Sequence, residues 1–261
     1  TRQPTSFRER LAWGSLILAV LTPVWFAAAG FGHKFGLWSY SFGLGKMTVA
    51  WGPILLGIAA LFAVIAIIVN LIKAPRRGAL VALAALAIPL LIFGRLAGFG
   101  QVVAALPPIH DVQTDWTDPI RFSEAVMVMR GADANPVQDD PVVIEAASAR
   151  WPDAAGKRVA DLQAGNYPQV QPILLTSTPE RAFAGVLAAV EEQGWTVHTA
   201  DREAGVIEAT AETFWYGFKD DIAIRIRPVG EGPEAGSRVD IRSTSRVGLS
   251  DLGANASRIH D

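Results

Sequence analysis

The sequence predicts an α-helical transmembrane N-terminal region of three spans followed by an α+β soluble domain. That domain is expected to carry an antiparallel sheet in the order β-α-β-β-β-β-α with helices on one face. Three observations point this way. First, 51% of the residues are hydrophobic and mean hydropathy is positive, which is high for a soluble chain. Second, charge is segregated: residues 1–100 hold nine basic and one acidic side chain, net +8, whereas residues 101–261 hold 14 and 24, net −10. Third, long uncharged runs give way to segments in which apolar and polar residues alternate. The division falls at residues 1–105 and 106–261, with a compact core from about 167 to 261. Basic charge in the first half suits an anionic membrane leaflet, and the acidic second half makes nucleic acid an unsuitable partner.

The first uncharged run, residues 11–29, follows Arg2, Arg8 and Arg10. It exceeds the roughly 7–15 residues of a signal-peptide core, and two more runs follow, so it is expected to be retained as a span despite the Ala27-Ala28-Ala29 tail. The second run covers residues 47–72, and the third covers 78–94, ending on Arg95. Each approaches the ~20 residues with which a helix crosses the hydrocarbon core. Pro23, Pro53 and Pro89, one per run, are read as local bends that membrane helices tolerate. Arg95 is expected to snorkel.

Orientation follows from the connections. Arg2, Arg8 and Arg10 precede the first span, and Lys73, Arg76 and Arg77 fill the second turn, whereas the first connection holds only Lys34 and Lys46. The positive-inside rule then puts the N-terminus in the cytoplasm and the C-terminal domain in the periplasm of a bacterial inner membrane. The outer loop, residues 31–46, is rich in aromatics and glycine. It is read as an interfacial segment, with a partner-docking surface as the sharper alternative.

In the second half, residues 111–165 read as extended connections with short elements, and residues 170–175 as a buried strand. Ser177-Thr178-Pro179-Glu180 is a capping-box pattern that opens a helix to about Gln193, stopped at Gly194. Strands are expected at 195–200, 205–215, 221–228 and 237–246, with turns at 201–205 and 230–236. Alternation of Ile207 and Ala209 with Glu208 and Thr210, of Ile222, Ile224 and Ile226 with Arg225 and Arg227, and of Val239 and Ile241 with Asp240 and Arg242 makes one face apolar and the other charged. A final helix is expected after Ser250, with Leu252, Ala256 and Ile259 inward. The first residue is Thr and the last helix runs into Asp261, so residues beyond either end are left open.

Three groups are candidates for binding or docking. His110, Asp111, Thr114 and Asp115 form a dense polar group: imidazole titrates near neutrality and a carboxylate fixes its tautomer, yet the spacing matches no metal motif. The structural alternative is side-chain capping of backbone after Pro107-Pro108. Phe214, Trp215, Tyr216 and Phe218 around Gly217, with Asp220 beside them, could line a pocket, touch lipid, anchor a partner or pack beneath the helices. Arg242 and Arg246 belong to a basic strip with Arg225 and Arg227, for which cross-strand ion pairs with Glu208, Glu212 and Asp240 suffice, an anion site being the alternative. The chain has no cysteine, which excludes a disulfide framework, a thiolate nucleophile and Cys-ligated metal. No Gly-rich phosphate loop, H-E-x-x-H or G-x-S-x-G occurs. No catalytic, cofactor or metal residue is assigned, and no cofactor is expected.

Three segments also carry a resemblance. Residues 108–115 (PIHDVQTD), the run Ile207-Glu208-Ala209-Thr210 leading into residues 214–221 (FWYGFKDD), and residues 239–248 (VDIRSTSRVG) leading into 251–259 (DLGANASRI) resemble the uncharacterised family called domain of unknown function 1499, over roughly residues 107–261. The resemblance implies the domain but no established activity. The expected function is a non-enzymatic accessory or assembly subunit, in contact with membrane lipids. It would dock on a larger membrane complex through residues 31–46 and its periplasmic domain, and the family's distribution points first to energy-converting complexes. A periplasmic lipid or small-ligand binding domain is the alternative. A hydrolase or metal-dependent enzyme using His110, Asp111 and Asp115 is the third.

Overall fold

The structure, a computed structural model, describes residues 6–72, 74, 76–230 and 235–260. Arg2 and Lys73, which entered the orientation argument, most of the 230–236 turn, and Asp261 lie outside the described residues. The chain forms two compact units: residues up to Val102 together with Phe214–Gly217, and Val103–Thr213 together with Phe218–Asp261.

The first unit is built from α1 (Phe7–Lys34), a π-type helix (Ser41–Trp51) that runs directly into α2 (Gly52–Leu71), and α3 (Ala79–Ala105). All three helical stretches are long and apolar enough to cross a membrane. Ser6 and Glu9 form a reciprocal capping box at the start of α1, satisfying two of its free N–H groups. Small residues set the packing: Ala12, Ala66 and Ala82 meet in one layer and Ala19, Ala63 and Ala85 in the next, letting backbones approach closely where lipid supplies no hydrophobic drive between helices. Buried polar groups are satisfied inside the unit. Ser15 and Thr22 hydroxyls donate to the Ala12 and Ala19 carbonyls, and Asn70 Nδ2 donates to Ala66 O and Arg8 O.

All three spans are longer than expected. Residues 31–46 form a loop only in their middle. Phe31–Lys34 close α1, and helix resumes at Ser41 because Trp38 folds back, its Nε1 donating to Ala29 O, into space that a Cβ on Gly32 or Gly43 would fill. The wide turns give way to regular α-helix at Pro53, which has no N–H to bond into the turn before it. In α3 the helix continues past Arg95, which is exposed, to Ala105. Gly94, Gly98 and Gly100 do not stop it, and Pro107-Pro108 does.

The second unit holds one antiparallel sheet. Its strands are β1 (Asp111–Gln113), β2 (Ile173–Leu175), β3 (Thr196–Asp201), β4 (Val206–Glu212), β5 (Lys219–Val229) and β6 (Gly236–Ser245). The order is β1-β6-β5-β4-β3, and β1 and β2 share the outer edge of β6 end to end. The helices are α4 (Glu124–Arg130), α5 (Val159–Asn166), α6 (Pro179–Glu192) and α7 (Ala254–His260). The fold class expected from sequence is therefore observed, with β1, α4 and α5 added ahead of it. On one face Ala182, Phe183 and Val190 of α6 pack on Ile207, Ala209, Ile222, Ile224 and Val239. A neighbouring cluster joins Ile109 and Val112 to Val143, Val159, Tyr167, Ala256 and Ile259, so the core begins well before Tyr167.

Several local details depart from the sequence reading. The strand expected at 170–175 shortens to Ile173–Leu175, with Val170 buried ahead of it. Thr178, not Ser177, is the N-cap of α6, while the Ser177 carbonyl accepts from Ser237 Oγ on β6. The last helix starts at Ala254 because the Asp251 carboxylate, not Ser250, accepts from the N–H groups of Gly253 and Asn255. This cap places Leu252 in the left-handed region and partly exposed rather than inward.

Burial pushes the Asp251 carboxyl up to about 6, against the two backbone hydrogen bonds it accepts. A folded-state value above the unfolded value of ~3.9 means that the group's favourable contribution is complete below pH ~4 and lost as pH rises through about 6. Denaturant titrations of the intact protein in mild detergent should show Asp251→Asn gaining on wild type by up to about 2 kcal/mol between pH 4 and 7. A constant difference across that range contradicts the assignment.

Candidate functional site

Most of the charged face of the sheet is covered, with Arg227 and Arg238 partly exposed at one end. Residues 114–138 cross it, with Ile120, Phe122 and Val126 packed on Ala223, and beneath them lies a buried layer of paired charges. Asp111 of β1 accepts two parallel bonds from Arg242 of β6, Nε at 3.0 Å and Nη2 at 2.5 Å, and a third from Thr244 Oγ1. Arg242 completes its fork on the carbonyls of Ile120 and Gln138 and lies over the Trp116 ring. The pair is almost wholly inaccessible. Such a guanidinium–carboxylate fork combines charge with fixed geometry.

A second centre forms on β5. Asp221 accepts from Arg130 Nη1, from Arg246 through Nε and Nη2, and from Thr210 Oγ1 at 2.6 Å. Burial alone would raise its carboxyl; the Arg246 and Thr210 hydrogen bonds and the charges of Arg246 and Arg130 hold it below the usual range. A third centre is Asp240, which accepts from Arg225, Arg227 and Arg238 and from Thr114 Oγ1. Arg238 also bonds Asp115. Burial opposes ionisation of Asp115, but hydrogen bonds from Thr117 and Arg238 bring it down to about 2. Glu208, also buried, accepts from Ser123 N and Thr199 Oγ1.

The four polar residues read together at the junction are thus distributed. Asp111 joins Arg242, Thr114 and Asp115 join the Asp240 centre, and His110 stands apart. His110 lies just before β1, and the Asp111 carboxylate, engaged by Arg242 and Thr244, is not free to act with it on one reacting atom. Burial lowers the His110 imidazole below its ordinary value, while the Asp111 charge and a Leu249 backbone hydrogen bond act the other way. The His110 carbonyl accepts from Ser245 N and Asn255 Nδ2. Among the described residues no group of three or more His, Cys, Asp or Glu side chains could hold a metal ion. With its carboxylate oxygens filled by donors, Asp221 holds a fold together and has no oxygen left to receive a substrate proton.

The aromatic candidates separate as well. Phe218 stays with the sheet, its N–H donating to Thr213 Oγ1, and Asp220 pairs with Arg258 at 2.7 Å. Phe214–Gly217 belongs to the helical unit. There Phe31 meets Phe214 edge to face at 5.7 Å and Trp215 at 5.0 Å, Lys34 Nζ donates to Phe214 O, and Tyr216 OH bonds Thr48 Oγ1 at 2.6 Å. Gly30 leaves room for the Trp215 carbonyl, 3.1 Å from where a Cβ would stand. Phe214 and Trp215 remain 69% and 53% exposed, and Phe35 and Leu37 of the same unit are exposed too.

The family described as "Protein of unknown function (DUF1499)" matches residues 111–261, more than half of the chain. The chain belongs to that family. No curated protein and no solved structure matches it significantly. The DUF1499 match opens on Asp111, the residue that pairs with Arg242, and it covers the sheet with all its charge centres while the three apolar helices precede it.

Sequence reasoning missed Arg130, Asp221 and Glu208 as members of the buried layer. The period-two placement of Glu208 on β4 and Asp221 on β5 was visible; the lid above them, which includes Arg130 of α4, was not. Removing one partner from a buried pair strands the other charge. Arg130→Met should therefore cost about 3–5 kcal/mol of unfolding free energy, measured by denaturant titration in mild detergent, whereas exposed Arg121→Met, which loses only its pair with Asp139, should leave stability almost unchanged. Equal costs would show that the layer is not desolvated.

Proposed function

We propose that this DUF1499 protein is a non-enzymatic accessory or assembly subunit, held in a bacterial inner membrane by its three helices and docked on a larger membrane complex. The observation that carries the reading is the exposed aromatic surface of the helical unit. Phe35, Leu37, Phe214 and Trp215 face solvent, while Lys34 Nζ holds the Phe214 carbonyl, Thr48 ties the Tyr216 hydroxyl, and Phe31 packs on the Phe214 and Trp215 rings. Rigid aromatics of this kind make binding hot spots because little conformational freedom is lost on contact. Arg8, Arg10, Arg76 and Arg77 cluster at the opposite helix ends, which supports a cytoplasmic N-terminus and a periplasmic aromatic surface. The engagement of the junction carboxylates with arginines supports a structural rather than catalytic role for Asp111 and Asp115.

A photo-cross-linking side chain placed at Phe214 of the full chain, activated in native membranes, tests the reading. The expected result is one discrete adduct with another membrane protein, weakened about thirtyfold by Trp215→Ala, as for a hot-spot residue worth ~2 kcal/mol. Adducts with lipid alone would make the surface an interfacial belt and overturn docking.

A further inference from the structure

The helical unit carries a second feature at its other end, independent of the aromatic surface. Phe7, Leu11, Gly14 and Leu18 recur along one stripe of α1, and with Phe62 of α2, Ser15 and Arg10 they line an elongated groove of about 540 Å³. Leu18 lies eight residues beyond Arg10, so the groove runs about 12 Å along the helix axis from the charged end toward the middle of the span. Its walls are apolar apart from the Arg10 end and Ser15, whose hydroxyl is already engaged by Ala12 O.

Arg10 is exposed and has no ion-pair partner among the described residues; Glu9, the neighbouring carboxylate, is turned back onto Ser6 in the capping box. Gly14 opens the floor, since nothing lies within 4 Å of where its Cβ would stand. We propose that this groove is a binding site for one anionic phospholipid, with an acyl chain laid along Leu11, Gly14 and Leu18 and the phosphate held by Arg10. The complementarity is of both kinds. An apolar slot parallel to the span fits a hydrocarbon chain, and a guanidinium at its headgroup end fits a phosphate oxyanion.

The test is native mass spectrometry of the full chain released from detergent, offered phosphatidylglycerol or phosphatidylethanolamine at equal concentration. Wild type is expected to keep one phosphatidylglycerol at energies that strip the rest, at least about fivefold in preference to phosphatidylethanolamine, the selectivity that a single cation near the headgroup supplies. Gly14→Leu fills the slot without a clash and should lose the retained lipid of either kind. Arg10→Gln, at an exposed position, should keep a lipid but lose the preference. Equal retention of the two lipids by wild type, or undiminished retention by Gly14→Leu, overturns the site. A preference that survives in Arg10→Gln overturns the phosphate contact. None of these outcomes bears on the aromatic surface, so docking and lipid binding fail separately.

Discussion

The Asp111–Arg242 fork is the contact on which the sheet domain depends. Asp111 opens the first strand after the apolar helices, and Arg242 lies on β6, where β1, β2 and β5 all pair. Its remaining donors reach the carbonyls of Ile120 and Gln138, so one side chain ties the edge strand, the β6 ladder and two well-separated points of the covering segment. A buried ion pair need not add net stability over a well-packed apolar pair. What it supplies here is direction: planar forks accept one arrangement of carboxylate and carbonyls.

The consequence is a sheet with two cores of different chemistry. Beneath α6 lies an ordinary apolar layer. On the other face, residues 114–138 cover the Asp111 and Asp221 centres, with Ile120, Phe122 and Val126 as the apolar part of the cover, while the Asp240 centre keeps Arg227 and Arg238 partly exposed. Asn255 of α7 works in a similar way on the α7 side of β6, accepting from Ser243 Oγ and Arg258 Nη1 while donating to His110 O and Ser245 Oγ. Each network is closed by groups far apart in the chain, which makes removal of any one member costly to the rest.

The three spans and the four long strands were legible because each is a repeating pattern: uninterrupted apolar residues in one case, alternation in the other. Where Glu208, Asp221, Asp240 and Arg242 faced was not legible, since period two reads the same whether the polar face meets water or a second layer. The cover itself is mostly turn-forming residues, and its three apolar anchors are too few to show a period. Likewise Phe214, Trp215 and Tyr216 stood out as a cluster, but their partners Phe31, Lys34 and Thr48 lie in another part of the chain, and no local signal joins them. His110 and Asp111 are neighbours in sequence, but only Asp111 enters the arginine network.

The most direct measurement of this account is a double-mutant cycle on Asp111→Ala and Arg242→Ala, followed by denaturant unfolding of the intact protein in mild detergent. A sealed, coupled pair predicts single variants each costing about 3–5 kcal/mol and a double variant hardly worse than either, so that coupling exceeds about 2 kcal/mol. Single costs that simply add, with coupling near zero, would contradict a charge layer organised by this fork.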